Sequence, residues 1–333
     1  MAAAPPDGEE FALISRLFAP LARDPGALGL ADDAAILPPA PDGYDTVVTV
    51  DTVVEGVHFL ADDPPGTVAA KLVRVNVSDL AAKGAVPAAA FLAAAFPRRW
   101  KAAAIEAFAE GLGRDLEDFS LSLLGGDTVT TPGPATFTLT AIGHVRAGRM
   151  VRRSGARPGD GVYVTGTIGD AALGLRILRG EMGDVPLGRR TPLVERYRVP
   201  HPRAAFGARL PEFATAALDV SDGLVADLGH LARASGVVAT IEAGRVPLSK
   251  SAARFAGRDQ AVFLALLGGG DDYEIVFAAP PDAADAIAAA SGATDTPVTR
   301  IGRIEAPDGG VPVRVTGADG DVLRMPSSGY SHF

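Results

Sequence analysis

Six times along this chain an apolar run meets an aspartate set beside glycine or another small residue. The segments are ADDAAIL (Asp32, Asp33), VTVDTVVEGVHF (Asp51), VNVSDLAAKG (Asp79), LLGGDTV (Asp127), LDVSDGL (Asp219, Asp222) and LLGGGDDYEIVF (Asp271, Asp272). Ligands of open α/β sheets bind beyond the carboxyl ends of strands, which is where such acids would lie. If several converge, their mutual repulsion requires cations, and carboxylate oxygens select hard ions such as Mg²⁺. Because Mg²⁺ keeps waters and bridges to phosphate oxygens, carboxylates together with Gly-rich turns point to a nucleotide-phosphate site.

Other phosphate and metal chemistries are disfavoured by what is missing. The sequence holds no G-x-x-x-x-G-K-[ST], no G-x-G-x-x-G, and no H-E-x-x-H among His58, His144, His201, His230 and His332. No G-x-S-x-G elbow supports serine hydrolysis. The absence of cysteine excludes a disulfide scaffold, a thiolate nucleophile and thiolate-bound metal, and leaves the compartment unconstrained by redox. With 31 basic and 40 acidic residues, the net charge of −9 argues against sequence-independent nucleic-acid binding, which needs a basic face. The longest apolar uncharged tract, residues 84–97, is too short for a membrane span and carries two prolines. The first residues place acids ahead of their apolar stretch and do not read as a secretory signal.

A chain of 333 residues is about twice a typical domain. Residues 45–54, 137–145, 161–165 and 273–278 are β-branched or alternating runs bounded by Gly, Pro or Asp, and are expected as strands. Residues 101–119 carry Ile105, Phe108, Ala109, Leu112 and Leu116 at helical spacing. Residues 68–82 form a second helix with Ala70, Val73, Val77, Leu80 and Ala81 on one face and Asp79 on the other. The basic, Gly-rich stretch 148–159 sets the boundary between domains 1–150 and 151–333. The proline- and charge-rich stretch 179–203 is expected as a surface connection.

Each acid also has a plainer reading. An Asp after a strand is commonly a turn residue or a helix cap, and Asp170 and Asp222 both precede helical patterns. Gly125, Gly126 and the glycines at 268–270 would then serve turns or close packing, and His58 a structural hydrogen bond. Arg152 and Arg153 would be a solvated linker face, and Tyr330 with Phe333 a C-terminal plug in the core. The recurrence of six acidic motifs in one chain favours the metal site.

In this order, VTVDTVVEGVHF, VNVSDLAAKGAVP, RSGARPGD, LDVSDGL and GGGDDYE resemble thiamine-monophosphate kinases, whose superfamily includes aminoimidazole ribonucleotide synthetase. The resemblance runs from EFALISRLF to GYSHF. It implies an α/β (α+β) fold of two domains: an N-terminal mixed sheet with helices that pairs with a second subunit in a shared barrel, and a C-terminal α/β sandwich. The N-terminal domain would bind ATP and Mg²⁺, with nucleotide near the dimer interface. The implied Mg²⁺ ligands are Asp32, Thr49, Asp51, Asp79, Asp127, Asp219 and Asp222, with the Val50 carbonyl as a backbone ligand. Gly126, Asp127, Arg153 and Ser221 would contact ATP, and His58, Asp271 and Tyr330 thiamine monophosphate. Ala31 departs from the family's usual G-D-D, Asp271 stands where Glu is usual, and Ala109 replaces a tyrosine expected in an adenine platform at residues 108–111.

The implied activity is ATP-dependent phosphorylation of thiamine monophosphate to the diphosphate, in a cytoplasmic homodimer, with several Mg²⁺ ions and no membrane or nucleic-acid partner. The acceptor phosphate is already anionic, so no general base and no covalent phosphoenzyme are required. An amidine-forming synthetase of the superfamily would carry a G-V-G-T-K-like element where EGVHF stands. A selenophosphate synthetase or a hydrogenase-maturation relative would need a cysteine or selenocysteine. A catalytically dead nucleotide-binding module is disfavoured because every acidic motif is present.

Overall fold

The computed structural model describes residues 12–257, 260–325 and 329–330. The chain divides into two units, Met1–Leu80 with Val86–Gly148, and Ala81–Ala85 with Arg149–Phe333. The opening residues 1–11, His332 and Phe333 lie outside the described residues.

The first unit is built on β1 (Tyr44–Val54), α1 (Pro65–Ala82), β2 (Val86–Pro97), α2 (Ala102–Asp118), β3 (Ser122–Thr131) and β4 (Thr136–Arg146). The sheet order is β1-β4-β2-β3, with β4 antiparallel to both neighbours and β2 parallel to β3. A parallel pair needs a crossover, and α2 supplies it. β2, absent from the sequence expectation, reads VPAAAFLAAAFP, a poor strand former by propensity. It is a strand because hydrogen bonding on both edges places it inside the sheet.

On one face of the sheet, Leu92, Phe96, Phe137 and Leu139 are buried. Phe108 of α2 joins them, its ring centroid 4.4 Å from that of Phe137. The region expected to hold adenine is therefore core at Phe108. On β1, alternation sends Val47 and Val53 inward and leaves Val48 and Val50 each 56% exposed. Helix α1 differs from the one-faced helix expected: Leu72, Val75, Asn76 and Ser78 are as buried as Val73, Val77 and Leu80. Asp79 is only half-buried and faces β1 rather than open water.

The second unit holds a six-stranded sheet in the order β10-β7-β9-β5-β8-β6. Its strands are β5 (Gly161–Thr165), β6 (Ala216–Asp219), β7 (Val238–Glu242), β8 (Ile275–Ala279), β9 (Val298–Glu305) and β10 (Val313–Thr316). Only β10 and β7 run parallel. The main helices are α3 (Asp170–Leu178), α4 (Leu187–Arg198), α5 (Leu224–Ser235), α6 (Lys250–Ala256), α7 (Gln260–Leu267) and α8 (Ala284–Ala293). Every residue of β5 and β8 is buried, so both faces are covered. Val162, Val164 and Val276 pack with Leu228 and Leu231 of α5, whereas Tyr163 and Phe277 pack with Phe206, Phe213 and Ile287.

Two expectations change here. The stretch 179–203 is more than a surface connection: it contains α4, with Pro192 inside it and Leu193, Val194 and Tyr197 buried. The run expected as a strand from Tyr273 begins at Ile275, because Asp271 and Tyr273 adopt φ of +69° and +51°. Among the described residues no helix is long and apolar enough to cross a membrane.

Helices α3 and α4 touch at Gly174, where an added Cβ would lie 2.1 Å from the Leu193 carbonyl oxygen. Gly174→Ala should cost about 1–3 kcal/mol in denaturant unfolding, through forced separation of the two helices. Gly188→Ala, in open space on α4, should be neutral or stabilising by roughly 0.5–1 kcal/mol.

Candidate functional site

Within the first unit the predicted residues fall into two groups. Thr49 and Asp51, two apart on β1, share one face of the strand. Thr49 Oγ1 donates to Asp79 Oδ2 at 2.5 Å, and the Asp51 amide donates to Asn76 Oδ1 at 3.1 Å. Asn76 and Asp79 are three apart on α1, so one helical face meets one strand face at both points. Burial, and then repulsion from Asp79, push the Asp51 carboxyl up to about 6. Val50, between the two inward residues, pairs with Thr140 of β4 and exposes its side chain.

A second group lines a cavity of about 540 Å³. Asp32, Asp33, Gly126 and Asp127 supply its polar wall, and Phe91 and Leu124 part of its apolar one. A Cβ on residue 126 would lie 1.8 Å from the Leu92 carbonyl oxygen, so only glycine lets β3 approach β2 there. The Asp32 carboxylate accepts the Asp33 amide at 2.8 Å. The Ala31 departure therefore leaves both acids at the cavity.

Elsewhere on the first unit, His58 lies on the turn that leaves β1, half-buried. Its Nδ1 accepts the Val54 amide at 3.1 Å. Lys71 of α1, 2% exposed, donates its Nζ to the His58 carbonyl at 2.8 Å.

In the second unit, four predicted residues come together where β6 ends. The Asp271 amide donates to the Ser221 carbonyl at 2.8 Å, and the Tyr330 amide to the Asp222 carbonyl at 3.0 Å. A Cβ at Gly270 would lie 2.3 Å from the Ser221 oxygen, which is why the GGG run can close on VSD. Asp219, the last residue of β6, is buried beside them in sequence. Tyr330 is 52% exposed and so is not a core plug; Phe333 lies outside the described residues. Arg153 has an exposed side chain, and its carbonyl accepts from Ser235 at 3.4 Å.

Neither Asp222 nor Asp170 caps the helix that follows it. Gly223 and Gly169 hold the cap positions. At α5 it is Asp227 that reaches back, accepting the amides of Asp222 and Gly223 at 3.0 and 3.1 Å. Burial and the nearby Asp222 charge push Asp227 up to about 7. At α3 the wholly buried Asp272 accepts the Gly169 amide at 2.7 Å, and burial pushes it up to about 8. The Asp271–Tyr273 turn, with two left-handed residues, is held by this contact and by the donation of Arg196 to the Asp272 carbonyl at 2.9 Å. Next in the chain, the buried Glu274 accepts from Arg203, Arg196 and Thr165. Burial alone would raise its carboxyl, but the Arg203 hydrogen bond and both guanidinium charges hold it below its ordinary value.

Asp227, Asn76, Lys71 and Glu274 were missed by sequence reasoning. Glu274 alone left a trace, a charge opening the apolar run EIVF. Among the described residues no group of three or more His, Asp and Glu side chains is placed to hold a metal ion by itself.

Residues 31–145 match the AIR synthase related protein N-terminal domain, and residues 157–314 the C-terminal domain of the same family. The thiamine-monophosphate kinase of Caulobacter vibrioides is 47% identical over 305 residues, covering 90% of this chain and 85% of that one. The chain belongs to the thiamine-monophosphate kinase family, within the AIR synthase related proteins. A crystal structure of the Stenotrophomonas maltophilia member superposes with a TM-score of 0.83 at 41% identity, covering 95% of this chain and 98% of that one. AaThiL, solved as a complex with AMPPCP and TMP, superposes with a TM-score of 0.77 at 30% identity, over 97% and 94% of the two chains. Family membership agrees with the α/β fold of two sheets flanked by helices.

Asp272 gives this part of the fold a pH signature. Its folded value of about 8 lies above the ordinary 3.8, so the folded state binds the extra proton and stability falls as pH rises from about 4 to about 8. Asp272→Asn, which keeps an oxygen for the Gly169 amide, should flatten that decline when unfolding is followed across the range. An unchanged slope would place the proton elsewhere.

Proposed function

We propose that this chain transfers the γ-phosphoryl group of ATP in line to the phosphate of thiamine monophosphate, forming thiamine diphosphate. Family membership places it among the thiamine-phosphate kinases, enzymes that use ATP as co-substrate. The observation that carries the reading is its likeness to AaThiL, which was solved with AMPPCP and TMP.

The donor set suits Mg²⁺. Asp51 and Asp79 are hard oxygen donors, and the Asp79 charge adds to burial in raising the proton affinity of Asp51. Mg²⁺ is commonly held by one or two carboxylates with waters and phosphates completing its shell, so a self-sufficient three-acid cage is not required. Asp32, Thr49, the Val50 carbonyl, Asp51, Asp79 and Asp127 in the first unit, and Asp219 and Asp222 in the second, are the proposed ligands. Bound there, Mg²⁺ would supply neutralisation of charge between two polyanions.

The chain's own residues bind and orient. Gly126 and Asp127 at the cavity, Ser221 on the β6 loop and the Arg153 guanidinium are proposed to contact ATP. His58, Asp271 and Tyr330 are proposed to contact thiamine monophosphate, with Asp271 presented on a turn held by the Gly169 and Arg196 contacts to Asp272. Catalysis is then alignment and charge compensation, with no nucleophile assigned. The exposed apolar row on β1, including Val48 and Val50, is the proposed pairing face of a homodimer, and the cytoplasm is the proposed compartment.

Purified chain incubated with ATP, Mg²⁺ and thiamine monophosphate should yield thiamine diphosphate and ADP; ADP released equally without thiamine monophosphate would sink the assignment. Asp51→Asn should lower kcat by at least ~10²-fold, as expected for loss of a charge-stabilising group at the reacting phosphates. Tyr330→Ala should raise KM for thiamine monophosphate roughly 2- to 30-fold, as loss of an aromatic face against a thiazolium cation predicts. KM for ATP should not move, and an unchanged KM for the thiamine substrate would remove Tyr330 from the site.

A further inference from the structure

The turn after β1 is closed on itself through His58. The His58 amide donates to the Val54 carbonyl at 2.9 Å, and the Val54 amide donates to His58 Nδ1 at 3.1 Å. One residue thus satisfies both ends of the other. The Val57 amide also reaches the Val54 carbonyl at 3.1 Å, and the Gly56 amide the Phe59 carbonyl at 2.7 Å. Gly56 sits at φ +82°, which lets the chain turn that tightly. The His58 carbonyl takes the Lys71 ammonium at 2.8 Å. Lys71 projects from α1, the most buried helix of the first unit, and its side chain is almost wholly buried.

This arrangement settles where the imidazole proton sits. A backbone amide can only donate, so a ring nitrogen facing it must be the bare acceptor. In a neutral imidazole the proton then lies on Nε2. We propose that the Val54 amide and the Lys71 ammonium act together as positioning groups that lock His58 as its Nε2–H tautomer. The ring edge turned away from Val54 is then a donor, suited to an acceptor oxygen of the substrate and unsuited to an amino group. Thiamine monophosphate carries both: phosphate oxygens that accept, and an aminopyrimidine N–H that donates. The locked tautomer turns away the exocyclic amine, and of the acceptors left, the phosphate oxygens are charged and so stronger than the bare pyrimidine ring nitrogens. The Lys71 contact fixes the backbone of the residue whose ring the Val54 amide orients.

The tautomer stands on the geometry alone; its use against the phosphate rests on the proposed assignment of His58 to the substrate. Two measurements separate these. In a long-range ¹H–¹⁵N correlation spectrum of the full chain labelled at histidine nitrogens, His58 is assigned as the signal lost in His58→Gln. At neutral pH its Nε2 should be of the protonated type and its Nδ1 of the bare type. A protonated Nδ1 overturns the proposal whatever the chain catalyses. Lys71→Met should broaden or mix the His58 signals while leaving other histidines in place. Unchanged signals in that variant remove Lys71 as a positioning group; if the variant does not fold, the wild-type spectrum still decides the tautomer.

The second measurement is kinetic. His58→Gln offers an amide donor at similar reach and should keep KM for thiamine monophosphate within about threefold. His58→Glu offers only acceptors and should raise it roughly tenfold or more, with KM for ATP unchanged in both. A purely structural histidine would make the two variants behave alike, and that result would overturn the donor role. If the chain made no thiamine diphosphate at all, the functional reading would fall while the spectrum still tested the tautomer.

Discussion

Two carboxylates that face each other across the first unit's main strand and its most buried helix are the constraint around which the rest is arranged. Asp51 and Asp79 approach because alternation on β1 and three-residue spacing on α1 bring one edge of each element together. The fold accepts the burial of Asp51 and, added to it, repulsion from Asp79, which together raise the proton affinity of Asp51. Nothing in packing alone calls for such a pair, since two like charges near one another and half-buried destabilise the chain that carries them. Its sense lies in a cation that removes the repulsion, and a cation held by carboxylates has its best use against phosphate.

The second unit manages a similar difficulty by different means. Asp272 and Asp227 are buried at helix starts, where backbone amides receive them, and Glu274 is compensated by two arginines and a threonine. These contacts fix the strained turn that presents Asp271 and the loop that carries Ser221 and Asp222. A rigid support beneath a small number of presented groups is what phosphoryl transfer by alignment requires.

Much of this was legible in the sequence. β1, β4 and β5 announce themselves through β-branched alternation, and α2 through its apolar spacing, since each depends on residues close in the chain. β2 was not legible, because its alanines favour a strand only when two neighbours already bracket them. The face of α1 was misjudged for a related reason: Leu72 and Val75 are buried by surroundings that periodicity cannot anticipate. Among the site residues, the acids were visible as motifs, whereas Asn76, Lys71 and Asp227 matter through partners that sequence spacing does not suggest. Glu274 meets Arg203 across 71 residues and Thr165 across 109. The capping roles went to Asp227 and Asp272 instead of Asp222 and Asp170, because the true caps reach backwards or across from another segment.

Whether the acid pair holds a cation is read from the ionisation of Asp51 itself, followed by carboxyl ¹³C chemical shift with and without Mg²⁺. Without the ion it should titrate near 6, and saturating Mg²⁺ should carry that midpoint down into or below the ordinary carboxylate range. A midpoint that stays where it was at saturating Mg²⁺ would mean that the acid pair holds no cation, and the account of the site would fail with it.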